Sequence, residues 1–134
     1  MREPDEKTIA KVRQWLDYAD EDMKMASLGV DVPDESLNRL TAYHLQQSVE
    51  KNLKAYLVYC GVDFPYTHNI SLLLEFCEKH IEVPSEISNA ESLTPYAVSA
   101  RYPGEDEEVS KQEVLEAFEI AVKVRVFIRK LINI

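Results

Sequence analysis

Three polar side chains with complementary hydrogen-bonding groups recur at helical spacing near the middle of the sequence. His44, Gln47 and Lys51 stand three and four residues apart, so on a helix they share one face within about 60°. A lysine ammonium suits a phosphate, and glutamine and histidine supply donors and acceptors for a base. The face could therefore bind an anion or a base. The same spacing equally fits a polar strip in a helix–helix contact, and both interpretations stay open.

Two further candidates lie on predicted loops. Arg101 stands between the aromatic residues Tyr96 and Tyr102, directly before a proline turn. An arginine among aromatic rings suits phosphate binding or base stacking, whereas an ion pair with the acidic run 105–108 is the alternative. His68, in the sequence YTHN at a predicted helix start, could bind a ligand, or it could cap or pack the helix.

Several chemistries find no support in the sequence. It contains no glycine-rich phosphate loop, HExxH, GxSxG or EF-hand pattern, and three scattered histidines give no metal-binding spacing. We therefore expect neither a metal nor a cofactor. The formal charge of −9 argues against broad attraction to nucleic acid or to an anionic membrane, although a local basic groove remains compatible with it.

The element that must position the first three candidates is a long central helix, predicted over Ser36–Cys60. The segment contains no glycine or proline, and its apolar residues recur at steps of three and four. They are Leu45, Val49, Leu53, Tyr56, Leu57 and Cys60. We expect this stripe to face the core, and the opposite side to face either a groove or a second subunit.

The other elements are also helical by periodicity and terminal signals. A first helix is predicted from Asp5 to about Leu28, ended by Gly29, with acidic residues 17 and 20–22 on its solvent face. Asp34 or Ser36 is expected to cap the central helix. A third helix is expected over Ile70–His80 after Thr67 or Asn69, a short one near Ser85–Ser92, and a last one from Ser110, whose spacing to Glu113 fits a capping box.

These elements predict an all-α protein, an antiparallel bundle of four main helices with a short helical insert before the last helix. The length of 134 residues suits one domain, residues 1–134. Cys60 and Cys77 fall on apolar helix faces, which favours reduced thiols. No apolar run is long enough to span a membrane, and the charged start is unlike a secretory signal, so we expect a cytoplasmic protein.

Three patterns in this order resemble the HEPN domain, the higher eukaryotes and prokaryotes nucleotide-binding family. The first covers His44, Gln46, Gln47, Glu50, Lys51, Leu53, Lys54 and Ala55. The second is the pair Thr67–His68, and the third is Arg101–Tyr102–Pro103. The resemblance extends over nearly the whole chain, and it implies a helical bundle that forms a homodimer.

The resemblance also implies partners. Many family members accompany a minimal nucleotidyltransferase, in some cases as a toxin–antitoxin pair, and others are metal-independent ribonucleases. The ribonucleases carry an arginine and a later histidine that are separated by four to six residues. After Arg101 that window holds Asp106, Glu107 and Glu108, and no histidine follows.

The leading hypothesis is thus a non-catalytic module that binds a nucleotide or another small anionic ligand beside a nucleotidyltransferase. Its ligand-binding residues would be His44, Gln47, Lys51, Arg101, Tyr96, Tyr102 and His68. The alternatives are a ribonuclease that pairs Arg101 with an unconventional residue such as His68, and a dimeric interaction protein without a small ligand. RNA is a possible but less favoured partner, since acidic residues in the expected window would repel a phosphate.

Overall fold

The computed structural model describes residues 3–97 and 108–134. In these ranges the chain forms helices joined by loops, and no strand. Helix α1 spans Glu6–Val30, α2 Asn38–Tyr59, α3 Ile70–Glu78, α4 Ser85–Ser88 and α5 Lys111–Leu131. A 3₁₀ helix, Asn89–Ala97, follows α4 directly. The prediction of four main helices with a helical insert before the last is confirmed.

Helix α2 is the centre of the bundle. Of its 22 residues 15 are buried, compared with six of 25 in α1, so α2 is covered on most of its circumference. Leu45, Leu53 and Leu57 lie in the core as predicted. Burying each such side chain contributes roughly 1.5–3 kcal/mol, so this stripe adds several kcal/mol to the stability of the fold.

Helix α1 runs antiparallel to α2 and packs along its length. Gly29, near the end of α1, contacts Thr41, near the start of α2, so closely that a Cβ at position 29 would collide with the Thr41 hydroxyl. The prediction that Gly29 ends the first helix is wrong, because α1 continues to Val30. The glycine is needed for helix packing instead. Among the described residues, Gly61 after α2 has a positive φ, and the predicted helix end there is confirmed.

Helix α5 also runs antiparallel to α1. At its start the Lys111 ammonium donates to the backbone oxygens of Val30 and Val32, and so satisfies carbonyls at the C-terminal end of α1. Further along, Asp20 of α1 binds Arg125 at 2.9 Å and Arg129 at 2.7 Å. Burial alone would raise the pKa of Asp20, but the two arginines outweigh it and hold this pKa below its ordinary value.

The helix caps follow the sequence signals in part. The Asn69 side chain accepts from the Leu72 N–H at the start of α3, and Ser110 and Glu113 form the predicted capping box of α5. The expectation that Asp34 or Ser36 caps α2 is wrong. Asp34 instead accepts from the backbone and hydroxyl of Ser36, a local turn that precedes the helix.

Two other features of the described residues concern the cysteines and the length of the helices. Cys60 and Cys77 are free thiols, and burial raises the pKa of Cys77 to about 12. No helix in the described ranges is long and apolar enough to cross a membrane.

Candidate functional site

The polar face of α2 is organised first by a carboxylate from α1. Asp22 Oδ1 lies 2.8 Å from His44 Nδ1, and Asp22 Oδ2 lies 2.6 Å from Lys51 Nζ. The carboxylate is buried, whereas the side chains of His44 and Lys51 remain 27% and 22% exposed. Two of the predicted site residues therefore meet on one carboxylate, and each side chain stays partly exposed to solvent. We call Asp22, His44 and Lys51 the Asp22 cluster.

The prediction that Asp22 lies on a solvated acidic face is wrong. Position 22 continues the buried period of α1, three residues after Ala19 and four before Ala26, so its side chain points towards α2. Asp20, from the same predicted face, is tied to Arg125 and Arg129. Asp17 and Glu21 are exposed as expected.

A second polar cluster is centred on Glu50, the residue before Lys51 on α2. Glu50 Oε2 binds Lys54 Nζ at 2.9 Å, and Glu50 Oε1 lies 2.8 Å from His68 Nδ1. The side chains of Glu50 and Lys54 are only 3% and 5% exposed, while His68 comes from the loop between α2 and α3. Trp15 and Tyr66 lie against the lysine ammonium, with ring centroids 5.4 and 5.7 Å away. We call Glu50, Lys54 and His68 the Glu50 cluster.

Two glutamines lie between the clusters. Gln47 Nε2 donates to Gln46 Oε1 at 2.6 Å, and Gln46 Nε2 donates to Glu50 Oε1 and to the His68 backbone oxygen, each at 3.2 Å. Both glutamine side chains are buried by their surroundings. Gln47, predicted as a ligand contact, is thus a buried hydrogen-bond donor that approaches the Glu50 cluster from the side of the Asp22 cluster.

Three predicted site residues remain, Tyr96, Arg101 and Tyr102. The Tyr96 hydroxyl donates to Glu113 Oε2 at 2.7 Å, which places Tyr96 at the start of α5. This hydrogen bond is the main reason why the pKa of Glu113 is lowered. Arg101 and Tyr102 lie outside the described residues.

A cleft elsewhere in the molecule is less suited to an anion. It has a volume of about 530 Å³ and lies between the N-terminal segment and the end of α2. Its lining includes Glu3 and Asp5 beside Tyr59 and Cys60, so carboxylates face it. None of the predicted site residues lines this cleft.

Sequence reasoning missed Asp22, Glu50 and Lys54 as members of the polar assembly. A signal existed for each: Asp22 stands in the buried period of α1, and Glu50 and Lys54 have the i,i+4 spacing of a helical ion pair. Tyr66 was missed too, and its ring is 88% exposed beside His68.

Comparison with known proteins identifies the class to which this fold and polar face belong. The family model described as HEPN domain matches residues 12–131, which is most of the chain. The chain therefore belongs to the HEPN domain family, as its sequence patterns predicted.

Two solved structures have the same fold. The crystal structure of TT1696 from Thermus thermophilus superposes with a TM-score of 0.79 at 23% identity, covering 91% of this chain and 98% of that one. ST0689, an archaeal HEPN homologue, gives a TM-score of 0.73 at 22% identity with the same coverage. A comparison with curated proteins gives no significant match.

Proposed function

We propose that the chain is a non-catalytic HEPN module that binds a nucleotide or another small anionic substrate and acts with a minimal nucleotidyltransferase partner. The observation that carries the proposal is the half-open Asp22 cluster, in which Lys51 and His44 share one buried carboxylate while both side chains stay partly exposed. Membership of the HEPN family supports the proposal, because members of this kind accompany such nucleotidyltransferases.

Lys51 is the group best suited to meet a phosphate. An ammonium has three N–H donors, one of which binds Asp22 at 2.6 Å. The side chain is anchored by that contact and still partly exposed, so its other donors can reach a ligand without any loss of the internal ion pair. Such an anchored cation loses less side-chain entropy on binding than a freely moving lysine.

The aromatic surface for a base is proposed at the neighbouring loop. Tyr66 is exposed and lies edge-on to His68, with ring centroids 5.3 Å apart. Exposed aromatic faces stack on any base without sequence preference. We propose Tyr66 for the stacking role that the sequence suggested for Tyr96 or Tyr102, and Tyr102 stays a proposed stacking residue from outside the described residues. Arg101 stays a proposed phosphate ligand from outside the described residues.

Exposed apolar side chains support the proposal that the module works with protein partners. Met25 and Leu28 on α1 and Leu40 on α2 are exposed, around the end of the bundle where Gly29 meets Thr41. Exposed apolar surface of this kind favours protein association. We propose that a second copy of the chain and the nucleotidyltransferase use such surfaces, in a pair of the toxin–antitoxin kind.

The test is a calorimetric titration of the purified protein with ATP. Lys51→Ala should weaken binding at least fivefold, the loss expected for one charge-assisted hydrogen bond, about 1 kcal/mol or more. Lys24→Ala is the matched control, because Lys24 is an exposed lysine of α1, and it should leave the affinity unchanged.

Absence of binding by the wild-type protein at millimolar ATP, both alone and in complex with its nucleotidyltransferase, would refute the ligand-binding proposal. Equal loss in Lys51→Ala and Lys24→Ala would instead show that ATP responds to overall charge. Thermal melts of both variants establish that each is folded under the titration conditions.

A further inference from the structure

The imidazole of His68 is held from the inside by a buried carboxylate. Glu50 Oε1 lies 2.8 Å from Nδ1, and an ionised carboxylate is only an acceptor. Nδ1 therefore carries a proton and donates inwards. This contact fixes both the orientation of the ring and, in the neutral ring, the tautomer that leaves Nε2 as an acceptor.

The other ring nitrogen faces the surface. Tyr66 Oη lies 3.3 Å from His68 Nε2, the His68 side chain is 45% exposed, and the tyrosine ring is almost fully exposed. A long hydrogen bond made by a side chain in solvent costs little to exchange. The Tyr66 hydroxyl thus marks a position where an incoming hydroxyl group could bind Nε2.

The support beneath the ring is more extensive than a loop anchor requires. Gln46 Nε2 already ties the loop to α2 through the His68 backbone oxygen. The carboxylate that holds the imidazole is itself fixed by Lys54 at 2.9 Å and by Gln46 at 3.2 Å. Three buried polar side chains therefore orient one half-exposed ring, which is the arrangement of a preorganised binding group.

We propose that His68 Nε2 accepts a hydrogen bond from a ribose hydroxyl of the bound nucleotide, in the position that Tyr66 Oη occupies in the free protein. The inference rests on the proposed function and names the part of the ligand that this loop reads. Gln46 contacts the His68 backbone oxygen and accepts from Gln47, and Gln47 shares a helix face with His44 and Lys51, so a chain of polar side chains links His68 to the face that carries the Asp22 cluster. Glu50 is a positioning residue in this scheme.

The test compares ATP with 2′,3′-dideoxy-ATP by calorimetry. Wild-type protein should bind ATP about threefold to tenfold more tightly, the range for one hydrogen bond. His68→Ala should bind both nucleotides with the same affinity, whereas Tyr66→Phe should keep the preference. His80→Ala is the matched control, since His80 is an exposed histidine at the end of α3, and it should also keep the preference.

The outcomes separate this inference from the function on which it rests. Wild-type protein that binds both nucleotides equally well would overturn the role of His68 and leave ATP binding intact. A preference that survives in His68→Ala would overturn it as well. Wild-type protein that binds neither nucleotide would overturn the proposed function and this inference together. Should His68→Ala not fold, His68→Phe gives the same decision, because a phenyl ring fills the space of the imidazole but has no atom that can accept from a ribose hydroxyl.

Discussion

Replacing Asp22 by asparagine should make the protein less stable and at the same time a better binder of anions. The carboxylate accepts from His44 and Lys51 at 2.8 and 2.6 Å. An amide oxygen can replace only one of these acceptor sites, and it carries no charge. Asp22→Asn therefore removes about one charge-assisted hydrogen bond from a buried position, and it leaves the positive charge of Lys51 unneutralised.

The loss of stability on Asp22→Asn depends on how deeply the ion pair of Asp22 is buried. Breaking a fully buried ion pair costs about 3–5 kcal/mol, and an exposed one about 0–1 kcal/mol. Asp22 is buried, but Lys51 and His44 keep roughly a quarter of their surface, so we expect about 2 kcal/mol. For a domain of this size that lowers Tm by about 6–10 °C.

Urea denaturation of wild type and Asp22→Asn measures the first effect, and titration with ATP the second. Asp17→Asn is the matched control, because Asp17 is an exposed aspartate of the same helix, and it should change stability by less than about 0.5 kcal/mol. If the two variants lose equal stability, the buried Asp22 cluster does not stabilise the fold. If Asp22→Asn is destabilised but binds ATP no more tightly than wild type, Lys51 is not the phosphate ligand.

Three further predictions concern the framework around the site. The pKa of Asp20 is lowered in the folded protein from its ordinary 3.8, so the stabilisation by its ion pairs is complete above that value and is lost as the pH falls through the folded pKa. The free energy of unfolding in urea should therefore differ between wild type and Asp20→Asn near neutral pH, and this difference should shrink in acid. A difference that stays constant with pH would contradict the prediction. Gly29→Ala should lower the free energy of unfolding by about 1–3 kcal/mol despite the better helix propensity of alanine, because the new Cβ collides with Thr41. A double-mutant cycle with Thr41→Ala tests the cause: a loss of stability that is not smaller in the Thr41→Ala background would show that the collision is not responsible. Cys77 is buried, and its pKa is raised to about 12. A thiol reagent should therefore leave Cys77 unmodified in the native protein, while the partly exposed Cys60 reacts more readily. Labelling of native Cys77 at the rate seen in urea would contradict its burial.

The sequence predicts the bundle well because its strongest signal is periodic burial. The stripe of α2 contains Leu45, Leu53 and Leu57, and any helix with that spacing must place them on one side. Local chemistry also predicts the capping box at Ser110, since both of its hydrogen bonds form within four residues. By contrast, Gly29 has two possible roles, a helix end and a close contact, and only the position of α2 decides between them.

The candidate site is less predictable because its contacts join distant parts of the chain. Spacing alone places His44 and Lys51 on one face, but it cannot show that the group between them is Asp22, far away in sequence. The same holds for Glu50 and His68, which come together only when the loop before α3 folds back onto α2. The sequence of one helix therefore predicts which of its own residues belong to a polar site. It does not predict the residues of other elements that pair with them and neutralise their charge.

The carboxylates that pair with the lysines determine what kind of ligand the proposed site on α2 could hold. Lys51 and Lys54 are each matched by a carboxylate, Asp22 and Glu50, so with neutral histidines the assembly has no net charge to attract an anion from a distance. Recognition must then come from short contacts: the remaining donors of Lys51, an outward ring nitrogen and an aromatic face. Such contacts are strengthened when water is excluded from them. A nucleotidyltransferase that closes over this half-open face would supply that exclusion, and for this reason we expect tighter ligand binding by the complex than by the isolated module.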